Sequence, residues 1–495
     1  MGVKEGIGTR MRRKRVVMGL SVLALLVVLA AGVAFHLTET TLTPTTVLTA
    51  RAGESVGTVA MDGSGGRVYV TLSDSSSGTL HVLDVAGGTH DQILATANGW
   101  LQPVVAPGTG RLFVAQQSPD GQSTRVDMFD ARRDIRLATV TLPLAAAGDV
   151  AVGGGVIVLG SNGLETCGSA MPACTLFHSG VAILDAASGR LRRMLHVSDR
   201  PWTVGIDAHA GHLLVASLRE VGKTTVTVLA VFDIATGRLV HHQVFNPRAT
   251  VPTGMAVDTG TGRAFVLVQQ RPASFALTPG SGYVFVLDTR TGRLIRTVTL
   301  AYTPVQVAVD RVTGRVFVTD SGPTRFVQKA AGSGRMGMFL PAGVGFLHML
   351  DARTGASLST VALGIAPGAI AVDERHGRVF VSHVGGHNGY GSMGTTPIYL
   401  PAPVAGPGGV SVVDGTTGQV LRTVAIGSEP MSMALDDRSQ RLFIGDAGDP
   451  FPPPPPDPWA WLPGPVRSRL PFMPPRTSVG RPIPGKVLVL DTSQL

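Results

Sequence analysis

The chain has very little cysteine, little charge and few aromatic residues, and each shortage narrows what it can be. Cys167 and Cys174 are its only cysteines, in the segment CGSAMPAC. No Cys-x-x-Cys-His occurs, which excludes covalently attached c-type haem. Nothing beside the two cysteines completes a ligand set, which argues against a metal or redox pair. Charged residues make up 15% of the sequence and aromatic ones 5%. The net charge of +9 invites a nucleic-acid reading, but Lys4, Arg10, Arg12, Arg13, Lys14 and Arg15 against Glu5 already supply five of those nine charges. Beyond residue 15 there is no Lys/Arg run and no interleaved aromatic stripe, so a dedicated nucleic-acid site is not indicated. A Ser/His/Asp elbow, a phosphate loop and a dinucleotide fingerprint are also missing.

Glycine (63 residues) and proline (34) are abundant, and 44% of residues are hydrophobic. That profile gives many turns and short strands around a large core. The one long apolar run is Val16 to Phe35, 20 residues without a charge. At 1.5 Å per residue it just spans a ~30 Å hydrocarbon layer. The expected organisation is a cytoplasmic basic tail (1–15), a transmembrane anchor (16–35), a linker (36–44) and an exported domain (45–495). A cleaved signal peptide is the rival reading, with Gly32-Val33-Ala34 as a small-residue cleavage site; it would make the protein secreted. In an oxidising compartment Cys167 and Cys174 are expected to form a local disulfide, contributing roughly 2–3 kcal/mol at best.

Self-similarity decides the fold class. One motif reads apolar-Ala-Val-Asp, a short turn, then Gly-Arg-Val-Phe-Val. Examples are MAVDTGTGRAFV from Met255, VAVDRVTGRVFV from Val307 and IAVDERHGRVFV from Ile370, with a degenerate copy from Val150. The second motif reads Val-x-Val-Leu-Asp, a Thr-Gly turn, then Leu-x-x-Thr-Val. Its aspartate recurs at Asp84, Asp130, Asp185, Asp233, Asp288, Asp351, Asp414 and Asp491. The two motifs alternate through eight copies, and each is two strands joined by a tight turn. The aspartates read as turn formers, not as a catalytic carboxylate array. Four strands per repeat describe a β-propeller blade, so the expected class is an all-β propeller of eight blades, with seven as the alternative. The last repeat ends at KVLVLDTSQL without a fourth strand, and Thr45–Thr49 resembles the missing one. The N-terminal strand is therefore expected to complete the last blade and close the ring.

The segments GRVFVTD and VFVLDTRTGR resemble the YVTN-type (YncE-like) β-propeller repeat of bacterial and archaeal surface and periplasmic proteins. The resemblance covers residues 45–495. It implies the propeller fold and a binding or surface role without a shared active site. The family's Tyr-Val-Thr-Asn stands here as Tyr69-Val70-Thr71-Leu72, Phe317-Val318-Thr319-Asp320 and Phe380-Val381-Ser382-His383. Family members usually have seven blades, and this chain has eight repeats.

Loop lengths point to a working face. Turns inside each motif are short, whereas Leu159–Ser179, Val268–Gly282, Ser321–Gly345, Val384–Gly408 and Ala447–Gly485 are long insertions between second and third strands. In an up-and-down meander those connections share one face, which is where a rigid scaffold carries binding groups. The candidate ligand-binding residues are His383, His387, Tyr390, Asp320, Asp446, Trp459 and Trp461. Tolerated drift in surface loops is the plain alternative, and the two tryptophans could serve only to pin a proline-rich loop. His383, His387, Asp320 and Asp446 could converge near the axis on a divalent metal; Met336, Met338 and Met393 would add soft ligands, although apolar packing explains them as well. No cofactor is otherwise expected. Two functions follow: a monomeric, membrane-anchored, non-catalytic module that binds protein, peptide or glycan, or a metal-dependent hydrolase or lyase with its site at the axial mouth.

Overall fold

The computed structural model describes residues 43–495 apart from 52, 64–65, 75–76, 86–91, 98–100, 119–120, 146–147, 167–174, 178, 223, 246–249, 271–280, 332–333, 386–388, 394–395, 401–407 and 450–482. The expected membrane segment 16–35, the cysteine pair, His387, Trp459 and Trp461 lie outside the described residues. Among the described residues no helix is long and apolar enough to cross a membrane.

Eight four-stranded antiparallel sheets follow one another along the chain. Blade 5 shows the pattern: Thr250–Asp258, Arg263–Gln270, Gly282–Asp288 and Leu294–Leu300, running from the innermost strand outward. The innermost strands of the other blades begin at Ser55, Leu101, Asp149, Arg200, Pro304, Pro367 and Pro430. Blade 8 consists of Pro430–Asp436, Arg441–Asp446, Lys486–Asp491 and, as its fourth strand, Thr45–Thr49 from the other end of the chain. Thr45 pairs with Val489 and Thr49 with Lys486. Val47, Leu48 and Ala50 pack into a core shared with Val56 and Val70 of blade 1 and Phe443 and Val487 of blade 8. The ring therefore closes as the repeat predicts, with eight blades rather than seven.

Strand alternation sends successive side chains to opposite faces of each blade. In blade 6, Val316 and Val318 join Phe265 and Leu267 of blade 5, while Phe317 between them joins Val379 and Val381 of blade 7. Each blade thus supplies half of two seams, and no blade could be covered alone.

The recurrent aspartates do what their spacing implies. Asp288 Oδ1 accepts from Arg290 N at 3.1 Å, Thr291 N at 2.9 Å and the Thr291 hydroxyl at 3.0 Å. Gly292 follows at φ +68°, the left-handed position only glycine fills without strain. The arginine of the Gly-Arg step ties consecutive blades together. Arg263 donates to Arg353 O at 3.1 Å. Arg378 donates to Thr492 O at 2.8 Å and Leu495 O at 3.0 Å, and holds Asp373 and Gln440 as well. Arg441 reaches Val85 O across the closure.

Candidate functional site

Strand direction divides the ring into two faces. First-to-second and third-to-fourth turns lie on one face, which we term the turn face. Second-to-third connections and the links between blades lie on the other, the loop face. The insertions fold there as secondary hairpins: Leu164–Thr166 with Thr175–Phe177 in blade 3, Thr324–Ala331 with Gly334–Pro341 in blade 6, and Gly389–Met393 with Thr396–Leu400 in blade 7. The hairpins of blades 6 and 7 lie side by side. Tyr390 pairs with Tyr399 in the second of them. The blade 6 hairpin leaves its blade through Gly322, at φ +67°, where a Cβ would fall 2.3 Å from Val344 O.

Asp320, His383 and Asp446 each end the second strand of their blade. Asp320 is fully buried; its Oδ2 lies 2.7 Å from His348 Nε2 and its Oδ1 accepts from Gly322 N at 2.9 Å. Asp446 accepts from Glu429 N at 2.7 Å, and a Cβ on Gly427 of blade 7 would fall 2.0 Å from its Oδ2. The His383 ring lies against Gly364 of blade 6 and Gly409 of blade 7, where added Cβ atoms would come within 2.2 Å of Nδ1 and 2.9 Å of Cε1. His383 is only 7% exposed, and neither ring nitrogen has a hydrogen-bond partner among the described residues. Burial lowers its pKa, so the imidazole is held neutral.

The expected convergence of these three near the axis is corrected by this geometry. The side chain at this register turns toward the preceding blade, as Val316 and Val318 do before Asp320. Gly364 and Gly427, which receive His383 and Asp446, belong to the outermost strands of blades 6 and 7. Each of the three therefore enters its own seam, away from the axis. Among the described residues no group of three or more His, Cys, Asp or Glu side chains could hold a metal ion.

Two cavities on the loop face were not foreseen. The first, about 300 Å³, lies at the axial mouth. Trp202, Thr253 and Val305 line it, each following a proline at the start of an innermost strand, with Met255, Gln306 and Asp149 completing the wall. Asp149 Oδ2 accepts from the Thr203 hydroxyl at 2.6 Å and Val204 N at 2.9 Å, clipping blade 3 to blade 4. Burial outweighs those bonds and raises its pKa. Part of the signal for this wall was present in the sequence: in blades 4, 5 and 6 the residue after the repeat proline lines the cavity.

The second cavity, about 590 Å³, opens between blades 1 and 2. Its lining includes Ser77, Thr79, Thr96, Gln116, Arg125 and Thr141. Beneath it the buried Asp127 holds Arg125 Nη2 at 3.1 Å and Gln116 Nε2 at 3.0 Å. Charge is thereby cancelled, and hydroxyl and amide groups are left fixed toward the cleft. Such a surface suits a neutral, polyhydroxylated ligand better than an ion.

No family model matches the chain, and no curated protein is similar to it. Solved structures are similar at low identity. Hydrazine synthase of Kuenenia stuttgartiensis is 14% identical over 69% of this chain and 91% of that one, with a TM-score of 0.45. The quinohemoprotein alcohol dehydrogenase ADHIIG of Pseudomonas putida HK5 is 12% identical over 86% and 73%, at 0.46. Dihydro-heme d1 dehydrogenase NirN is 12% identical over 80% and 69%, at 0.45. At such values none of their activities carries over to this chain.

Proposed function

We propose that this chain is an extracytoplasmic, membrane-anchored propeller of the YVTN type that binds a ligand on its loop face without transforming it. The observation that carries this reading is one-sided elaboration. The secondary hairpins and both cavities described above belong to the loop face, while the turn face keeps short turns in blades 2 to 7. Stability alone asks for nothing of the kind on one face only. The hydroxyl and amide lining between blades 1 and 2 favours a glycan among the possible ligands. The paired hairpins of blades 6 and 7 would extend the contact surface.

The test is to probe envelope glycan and peptide arrays with the protein, then titrate any hit against variants. Gln116→Ala, Arg125→Ala or Trp202→Ala should weaken binding by about 1–3 kcal/mol at an anchor position, with melting little changed. Binding that ignores all three and survives loss of the hairpins would remove the site from the loop face. The alternative, a metal-dependent hydrolase or lyase, draws on the His383 nitrogens, which have no partner among the described residues. Elemental analysis of purified protein decides it: a stoichiometric divalent metal lost in His383→Ala would favour the enzyme.

A further inference from the structure

We propose that the turn-face edge of the propeller is a docking surface for an anionic lipid bilayer. In part this rests on the membrane-anchored reading above. Three observations lead there.

The first is where the chain enters the ring. Thr45–Thr49 runs antiparallel to Lys486–Asp491, with Thr45 beside Val489 at the turn-face end. The first strand therefore begins at the turn-face end of the propeller. Nine residues, 36–44, separate that point from the apolar run. Fully extended they reach only about 30 Å, so an anchored chain keeps this face toward the bilayer.

The second is charge. Arginines scattered in sequence are gathered by the repeat at the third-to-fourth-strand corners. Arg133, Arg190, Arg238, Arg290, Arg293 and Arg353 are all exposed there. Most aspartates of the same corners, such as Asp233, Asp288 and Asp351, are half-buried and turned onto backbone N–H groups, and the exposed acids of this face, Asp437 and Asp491, are confined to blade 8. On the loop face, exposed charges of both signs mix, as in Arg51, Asp74, Glu220 and Arg325.

The third is exposed aliphatic surface at the same corners. Ile135, Leu191, Leu239, Ile295, Leu358 and Leu421 open the outermost strands of six successive blades, 39–51% exposed. Arginine on an outer strand has an ordinary use, since it blocks edge-to-edge pairing. That use does not call for an aliphatic residue beside it in blade after blade. Nucleic acid would favour aromatic groups between the arginines. Guanidinium groups at headgroup level with aliphatic side chains reaching the acyl boundary are what an interfacial surface presents.

The full chain in phosphatidylcholine vesicles with and without phosphatidylglycerol provides the test, read by hydrogen exchange. Backbone amides of 233–242 and 288–297 should exchange about tenfold more slowly with the anionic lipid, and the protection should vanish at high salt. Arg238→Glu/Arg290→Glu/Arg293→Glu should abolish it. If that variant fails to fold in detergent, Leu239→Ser/Ile295→Ser should weaken it instead. Equal exchange in both lipids, or protection of the loop face, overturns the proposal. So does a DNA duplex that protects these corners when vesicles do not. Anchoring is scored separately by alkaline carbonate extraction from phosphatidylcholine vesicles. A chain that is extracted yet still floats with anionic vesicles disproves the anchor and leaves the docking surface standing.

Discussion

The two faces of the ring are built from the same repeat and have diverged in opposite ways. On the turn face the third-to-fourth corners of blades 3 to 7 repeat one solution: an aspartate gathers N–H groups of its own turn and a glycine reverses the chain. Asp185, Asp233, Asp351 and Asp414 bind their own turns with nearly the same distances. On the loop face the second strands end on different residue types around most of the ring. Ser161, Ser217, Val268, Asp320, His383 and Asp446 occupy one register in successive blades. The difference teaches that ring stability resides at the turn face and in the seams, leaving the loop face open to change.

The sharpest way to break that comparison is to open the ring. Deleting Leu42–Ala50 removes a strand, its ladder to Lys486–Asp491 and the burial of Val47, Leu48 and Ala50. The expected loss is on the order of 5 kcal/mol, read by denaturant unfolding. Deleting residues 1–35 should leave the midpoint unchanged. Equal losses in the two proteins would show that closure lies elsewhere.

Arg378→Ala comes next. Arg378 is 8% exposed, and its guanidinium binds Asp373, Gln440 and the carbonyls of Thr492 and Leu495. Removing it leaves the fully buried Asp373 with only His376 beside it. A loss of about 3–4 kcal/mol is expected. A loss below 1 kcal/mol, on the order of a surface pair, would mean that the inter-blade latches are ornamental and that seam packing alone holds the ring.

How much of this was readable beforehand follows the same division. Asp288 and Arg263 recur at fixed spacing, and recurrence alone assigned the turn, the strands and the blade count. The closing strand was legible because Thr45–Thr49 repeats the Thr-Val pattern of the fourth strands in blades 2, 5, 6 and 7. The site was not legible in the same way. That Asp320, His383 and Asp446 share a register could be read, but the sign of that register could not. It is the seam packing of Val316 and Val318 that turns them toward the preceding blade. Trp202 was readable in principle, because a proline precedes the cavity-lining residue in blades 4, 5 and 6. The polar cleft was not, since Gln116 and Arg125 face it only after Asp127, on a strand eleven residues from Gln116, has fixed them.

Acid separates the faces by pH. His383, on the loop side, has its pKa lowered by burial from 6.5. The unfolded chain then binds the proton more readily, so this contribution is complete above about 6.5 and is lost as pH falls toward the folded value, at no more than about 1.4 kcal/mol per pH unit. The turn aspartates act lower. Asp351, held down first by the Thr354 hydroxyl, and Asp414, held down first by Thr417 N–H, lie below 3.8. Their contribution persists above that value and fails only as pH drops beneath it. Asp149 runs the other way, because its raised pKa favours the folded state at low pH. His383→Leu should therefore flatten the stability profile just below neutrality and leave the acid limb untouched. An unchanged profile would show that the imidazole is solvated or paired in solution.

The smallest expected effect is the most informative about the loop face. The blade 6 hairpin leaves and re-enters its blade at one place, where Ala342 N donates to Pro323 O at 2.8 Å. Residues 324–341 can therefore be replaced by Asn-Gly without stretching the chain, since that pair suits a two-residue turn. The excised hairpin contains the Phe326–Phe339 ring pair within itself, and Leu340 is its buried residue next to the base. Stability should fall by about 1 kcal/mol or less, while affinity for a loop-face ligand falls at least tenfold if the paired hairpins contact it. A large loss of stability would make the hairpin a brace for the seam between blades 6 and 7, and the contrast between the faces would weaken at that blade. Unchanged stability with unchanged binding would move the contact to the cleft between blades 1 and 2 or to the axial mouth, where Gln116→Ala and Trp202→Ala tell the two apart.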